Sequence, residues 1–264
     1  MKTFFLFMTG LLLMCCQPKY DVIRKVEKQY QNPPPGTVWL KDSIFIDQTE
    51  VRNLDYLEYL HWLQINDTIN YSLSLPDTLV WRDALSYNEP YVRYYLTHPA
   101  YRNYPVVGVS YEQAVNYCKW RTEIVKYFAD RINPKSSFGS SYKAKTFYYR
   151  LPTKEEWEIA AYAGICQIYG FEGIHVNNNL LNYNVKEAAL LSYASDVTVP
   201  AKRGTPNKFN LYNTIGNVAE MIAEKGVSKG GSWLHSLDEC KITDSIKYEK
   251  PKAWLGFRCV CVVK

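Results

Sequence analysis

The chain has 264 residues, is 47% hydrophobic, and is therefore long and apolar enough for one well-buried domain. Its formal charge is +5, from 31 basic and 26 acidic residues, with no Lys/Arg block, which argues against nucleic acid as a partner. The 23 Tyr and 7 Trp suit irregular segments pinned by buried aromatics, or else a wide contact surface.

Residues 1–16, MKTFFLFMTGLLLMCC, put one Lys before an apolar run too short to span a bilayer. This is the pattern of an export signal. Leu13-Met14-Cys15-Cys16 resembles a bacterial lipobox, with Cys16 as the acylated residue; the alternative is a plain secretory signal ending in incidental cysteines. The expected product is a bacterial outer-membrane lipoprotein held to the membrane through its N-terminal lipid. Residues 17–35 end in Asn32-Pro33-Pro34-Pro35 and read as a tether. A single domain is expected over 36–264.

Thr37 to Asp47 alternates weakly through Val38, Leu40, Ile44 and Ile46 and predicts strand material. Asn53 is placed to cap a helix carrying Leu54, Leu57, Leu60 and His61, with His61 read as a satisfied core histidine. Residues 64–103 read as a loop-rich, tyrosine-rich insertion. Ser110 with Gln113, and Thr153 with Glu156, form two capping boxes that start helices. Asn133 to Lys145 has the composition of a surface loop, and Gly170 to Pro206 is Asn-rich and irregular.

The densest cluster of special residues lies between Asn207 and Cys240. Gly230 and Gly231 remove two side chains at once, so something must approach the backbone there, or the chain must turn left-handed. Asn213, Gly216, Val218 and Glu220 alternate so that two oxygen side chains and two carbonyls could converge on one calcium ion.

Four blocks carry a family resemblance: YPVVGVSYEQAVNYCKW from Tyr104, YRLPTKEEWEIAAYAG from Tyr149, NLYNTIGNVAE followed by KGGSW, and LGFRC from Leu255. In this order they resemble the formylglycine-generating-enzyme, or sulfatase-modifying-factor, domain, and Thr49 to Asn53 is similar to its EVTN segment. The resemblance implies an α+β, C-type-lectin-like single domain with long loops and modest regular structure. It also implies a Cys118–Cys259 disulfide and the calcium set Asn213, Gly216, Val218 and Glu220. A further calcium site is matched only by Asn182 and Tyr183, since its second pair falls on Tyr193 and Ser195. The insertion lines Asp77–Trp81, Tyr87–Tyr91 and His98–Tyr101 look like a Bacteroidetes subgroup of lipoproteins associated with gliding motility and type IX secretion.

The family's oxidation uses two thiolates on Cu(I), three and eight residues beyond the Ser of the Gly-Gly-Ser step. Here those positions are His235 and Cys240 after Ser232, so half of the soft pair is gone. Ala219 and Met221 replace the tryptophans of GNVWEW, Asn210 stands where the family has Gly, and a second family disulfide falls on Ala161 and Ser245. The reading drawn from this is a non-catalytic interaction domain that binds an envelope protein or a glycan. The alternative is a copper oxidase acting on a cysteine of exported proteins, with Cys240 and His235 as ligands and Ser232 in the oxygen pocket.

Overall fold

The computed structural model describes residues 33–83, 87–131, 145–163 and 197–264. Cys16, Asn182, Tyr183, the 1–16 signal and most of the 17–35 tether lie outside these residues. Helices and sheets are both present, giving an α+β domain. Among the described residues the strands form two four-stranded sheets.

The first sheet takes β1 (Thr37–Lys41), β2 (Ile44–Asp47), β8 (Val260–Val263) and β3 (Phe147–Arg150) in that spatial order, antiparallel throughout. The predicted strand material at Thr37–Asp47 is thus a hairpin, turned at Asp42 with φ 45°. The second sheet has the order β6 (Ile246–Lys247), β5 (Val227–Lys229), β4 (Ala219–Met221) and β7 (Leu255–Phe257), in which β4 and β7 run parallel. Because β7 and β8 are joined only by Arg258 and Cys259, those two residues sit where the sheets meet.

Helix α1 spans Asn53–Asn66, but its cap is Arg52 rather than Asn53. The Arg52 N–H donates to Asp55 Oδ2 at 3.0 Å, while Asn53 is buried and donates its side-chain amide to the carbonyls of Tyr95 and Tyr101. Its buried stripe is Asn53, Tyr56, Tyr59, Leu60 and Leu63. His61 falls off that stripe and is exposed, contrary to the core role expected of it. Residues 64–103 are more helical than expected, with α2 (Thr68–Ser74), α3 (Glu89–Tyr94) and short 3-10 turns at Thr78–Trp81 and Pro99–Tyr101. Both predicted capping boxes close: Ser110–Gln113 before α4 (Tyr111–Arg131), and Thr153–Glu156 before α5 (Lys154–Tyr162).

The main core joins Tyr56, Tyr59 and Tyr117 with Phe257, Cys118 and Cys259 between α1, α4 and the sheets. The predicted disulfide pair meets there, but the two cysteines stand as thiols with their sulfurs 3.5 Å apart. A bond requires about 2.05 Å.

Arg258 is 0% exposed and lies at the junction of the sheets. Its Nε donates to Glu220 Oε2 at 2.6 Å and its Nη2 to Glu220 Oε1 at 2.5 Å. Nη2 also reaches the Tyr212 carbonyl at 2.8 Å, and Nη1 the Asp47 carbonyl at 3.2 Å. Trp157 of α5 donates its indole N–H to the same Glu220 at 2.7 Å. The Arg258–Glu220 pair therefore ties β2, β4, α5 and the 207–217 loop together.

Glu50 lies beside this pair with 0% exposure and accepts from Asn217 Nδ2 at 2.8 Å. Burial pushes its carboxyl up from the ordinary 4.5 to about 8; Arg258 opposes that rise, and Glu220 adds to it.

Two predictions follow from this frame. Arg258→Met strands a buried carboxylate and is expected to cost about 3–5 kcal/mol in chemical denaturation, with much of the loss recovered when Glu220→Gln is added. A single-mutant loss below about 1 kcal/mol would show the pair to be dispensable. For Glu50, the folded protein between pH 4.5 and about 8 keeps a proton that the unfolded chain has released. Stability should therefore fall as pH rises through that window, by up to about 1.4 kcal/mol per pH unit. Glu50→Gln should flatten the trend in urea midpoints between pH 5.5 and 8.5, and an undiminished slope would assign it to another group.

Candidate functional site

The loop from Gly230 to Cys240 is shaped by close packing. Gly230 (φ 88°) and Gly231 (φ 67°) are both left-handed. A Cβ on Gly230 would lie 2.6 Å from the Thr214 carbonyl and 3.0 Å from the Trp157 ring. One on Gly231 would lie 2.1 Å from Cys240 Sγ. The approaching groups expected from the two glycines are therefore Trp157 with Thr214 on one side and Cys240 on the other.

Ser232, His235 and Cys240 share this loop. Ser232 is buried, and its Oγ lies 2.6 Å from His235 Nδ1 while accepting from the Leu234 N–H at 3.1 Å. In either tautomer His235 Nδ1 is committed to Ser232, leaving Nε2 as the other ring nitrogen for any further partner. The His235 ring stands edge-on to Trp254, 4.8 Å between centroids, and burial lowers its pKa against the opposing pull of Glu239. Cys240 closes the 3-10 turn Leu237–Cys240, is buried, and receives the Ser232 backbone N–H. Burial pushes its thiol up to about 12, so at neutral pH it is the protonated thiol rather than the thiolate that binds soft metals. The soft thiolate pair is thus half replaced: one donor is an imidazole with Nδ1 bonded to a serine, and the other is a single buried thiol.

The calcium set is divided in the same manner. Both oxygens of Glu220 are taken by Arg258, with Trp157 on one of them. Asn213, left-handed at φ 49°, donates to Glu50 Oε2 at 3.3 Å and to the Ala201 carbonyl at 3.1 Å. The Gly216 N–H pairs with the Gly230 carbonyl, and Val218 packs in the core beside Trp81 and Val107. The Glu220 carboxylate that the calcium set needs thus already holds three donors. Among the described residues no three His, Cys, Asp or Glu side chains are grouped to hold a metal.

Sequence reasoning missed Glu50, Asn217 and Arg258 as site-forming residues. Asn217 is left-handed at φ 58° and wholly buried, holding Glu50 with its amide N–H and the Val199 N–H with its amide oxygen. Part of the signal was present, since Arg258 in LGFRC is an ionisable side chain inside an otherwise apolar segment, whereas Glu50 in EVRN stands among polar neighbours.

The insertion reaches the same loop. Trp81, buried at the end of its 3-10 turn, stacks on Trp233 with centroids 6.2 Å apart and planes at 19°. The Trp233 indole N–H donates to the Ala253 carbonyl at 3.2 Å. The residue next to Ser232 is thereby covered by the insertion.

A family model described as sulfatase-modifying factor enzyme 1-like domain matches residues 11–263. The chain is 25% identical over 196 residues to serine/threonine-protein kinase pkn1 of Chlamydia caviae, covering 74% of this chain and 24% of that protein. It is 27% identical over 175 residues to inactive C-alpha-formylglycine-generating enzyme 2 of Bos taurus, covering 59% and 50%. To the formylglycine-generating enzyme of Thermomonospora curvata it is 29% identical over 130 residues, covering 46% and 34%. The chain thus spans about a quarter to a half of the length of these curated relatives. Two solved structures share the fold: CarF, with a TM-score of 0.56, 20% identity and coverage of 85% and 92%, and Treponema denticola variable protein 1, with 0.53, 19%, and 87% and 92%. With the family model running along almost the whole sequence, the chain belongs to the sulfatase-modifying factor enzyme 1-like domain family.

Proposed function

We propose that this protein is a family member without oxidase chemistry, serving as a structural or interaction component of a bacterial envelope. The observation that carries the reading is the state of the reactive pair: His235 occupies one thiol position with Nδ1 bonded to Ser232, and Cys240 is buried against Gly231 with no second thiol in the loop. That one relative is itself named inactive agrees with the loss. Anchoring through Cys16, a place in the outer membrane and a role of the gliding or type IX secretion kind rest on the lipobox-like Leu13–Cys16 and the insertion lines of residues 77–101. The C-type-lectin-like assignment belongs to the same proposal.

The second reading, a copper-dependent formylglycine-generating oxidase, is favoured by one feature, the convergence of Ser232, His235 and Cys240 on a single loop. The two separate in one assay: purified protein is incubated with Cu(I), oxygen and a sulfatase-type thiol peptide, and aldehyde is read by mass spectrometry. No aldehyde is expected, and Cys240→Ser should leave competition with a colorimetric Cu(I) chelator unchanged. Conversion of the peptide, or tight stoichiometric copper binding abolished by Cys240→Ser, would overturn the non-catalytic reading.

An envelope location also bears on the thiol pair. Across a separation of 141 residues, Cys118 and Cys259 need only a short approach to bond, and an oxidising compartment favours it. Non-reducing peptide mapping of protein prepared from the envelope is expected to recover the two cysteines linked. Reduction should then lower stability by about 2–4 kcal/mol. Recovery of both as free thiols would remove the bridge from this account.

A further inference from the structure

The tyrosines of the insertion do more than fill a core. Tyr95 is buried, and its hydroxyl donates to the Pro105 carbonyl at 2.8 Å while lying 2.8 Å from Thr198 Oγ1. Around this anchor the rings step outward. Tyr101 lies 5.3 Å from Tyr95, Tyr104 lies 5.2 Å from Tyr101, His98 lies 6.3 Å from Tyr101, and Tyr94 lies 6.3 Å from His98. Tyr101 and Tyr104 are half-buried, His98 is exposed, and Tyr94 is 51% exposed. Asn53 fixes the run to α1 by donating to the carbonyls of Tyr95 and Tyr101, so the surface is held in place before any partner arrives.

The fringe of this aromatic run is basic. Arg93 flanks Tyr94, and Arg102 lies between Tyr101 and Tyr104. The Ala201 N–H donates to the Asn103 carbonyl at 2.8 Å, which brings exposed Lys202 and Arg203 alongside. None of these four makes an ion pair among the described residues. Residues 87–104 and 197–206 hold one carboxylate, Glu89, and it is bound by Arg82 at 2.7 Å. On the adjoining start of α1, Asp55 is paired with Arg52, which also donates to Asn103, so these segments keep a positive balance although the whole chain is only mildly basic.

We infer that this surface, Tyr94, His98, Tyr101 and Tyr104 bordered by Arg93, Arg102, Lys202 and Arg203, binds an anionic polysaccharide of the uronic-acid type. The rings offer apolar faces to the C–H faces of sugars, with tyrosine hydroxyls at hand for sugar hydroxyls. The guanidinium groups match carboxylates in a two-pronged geometry that lysine alone would not give. Nucleic-acid bases stack on the same kind of ring face, so it is the envelope reading that favours a polysaccharide, and the oligonucleotide in the test separates the two. The inference rests on the envelope reading above for its choice of ligand and is independent of whether copper chemistry survives.

The test is calorimetric titration of the full chain in detergent with polygalacturonate oligomers. Neutral dextran, an oligothymidylate and a polyglutamate peptide serve as comparisons. Saturable binding of polygalacturonate that weakens with salt is expected, with little binding of dextran. Arg102→Glu and, separately, Tyr94→Ala should each weaken it about tenfold, which is about 1.4 kcal/mol. Both residues are exposed, so unchanged thermal melting will separate lost contact from lost fold. No binding of polygalacturonate, binding indifferent to both substitutions, or tighter binding of the oligonucleotide or the acidic peptide would overturn the inference. A negative result here, with no aldehyde in the oxidase assay, would leave the non-catalytic reading standing.

Discussion

The Arg258–Glu220 pair is the constraint on which the rest of the domain depends. Moving two charges out of water costs several kcal/mol for each, and their attraction offsets this only where the remaining hydrogen-bonding positions are filled. Here the guanidinium reaches both oxygens of Glu220 and the carbonyls of Tyr212, Asp47 and, at 3.5 Å, Gln48. Trp157 adds a third donor to the carboxylate. The elements joined in this way also reach the apolar core, through Phe45, Met221, Leu255 and Phe257, but the strands of the second sheet are only two or three residues long. Short strands cannot define their own placement, and a polar junction with directional bonds supplies the definition instead.

That arrangement explains which parts of the fold were legible beforehand. Local signals with a mechanism close as read: the boxes at Ser110–Gln113 and Thr153–Glu156 depend on residues three apart, and the paired glycines depend on steric room that any neighbour would need. What failed were readings that required knowing a partner far along the chain. Asn53 looked like a helix cap because its side chain often is one, yet its amide is drawn to Tyr95 and Tyr101, 42 and 48 residues away. His61 was assigned to the core from helical spacing, but the stripe is set by Tyr56, Tyr59 and Leu63 and turns His61 outward. The partner of Glu220 was equally hidden, because Arg258 is 38 residues further on.

The insertion shows the same dependence at a larger scale. Read as polar loop, it proves to be pinned by Tyr95 at Pro105 and Thr198, by Asn53 from α1, and by Trp81 against Trp233. Aromatic density, which the composition displayed from the outset, is the physical means by which this run of short helices and turns is pinned to the domain. Buried rings with a polar tip satisfy loop carbonyls that would otherwise need water.

The retained Gly-Gly-Ser-Trp step acquires a different meaning in this setting. Gly230 is needed because Trp157 and the Thr214 carbonyl pass over it, and Gly231 because Cys240 does. Ser232 Oγ accepts from Leu234 and pairs with His235, while Trp233 receives Trp81 and bonds to Ala253. Each member of the motif is thus required by packing or hydrogen bonding within the chain itself, with no reaction in view. A sequence under pressure only to keep the Arg258 junction and the aromatic cover would keep these residues. His235, the third residue beyond Ser232, is held in the same way, by the Ser232 hydroxyl and by the edge of Trp254.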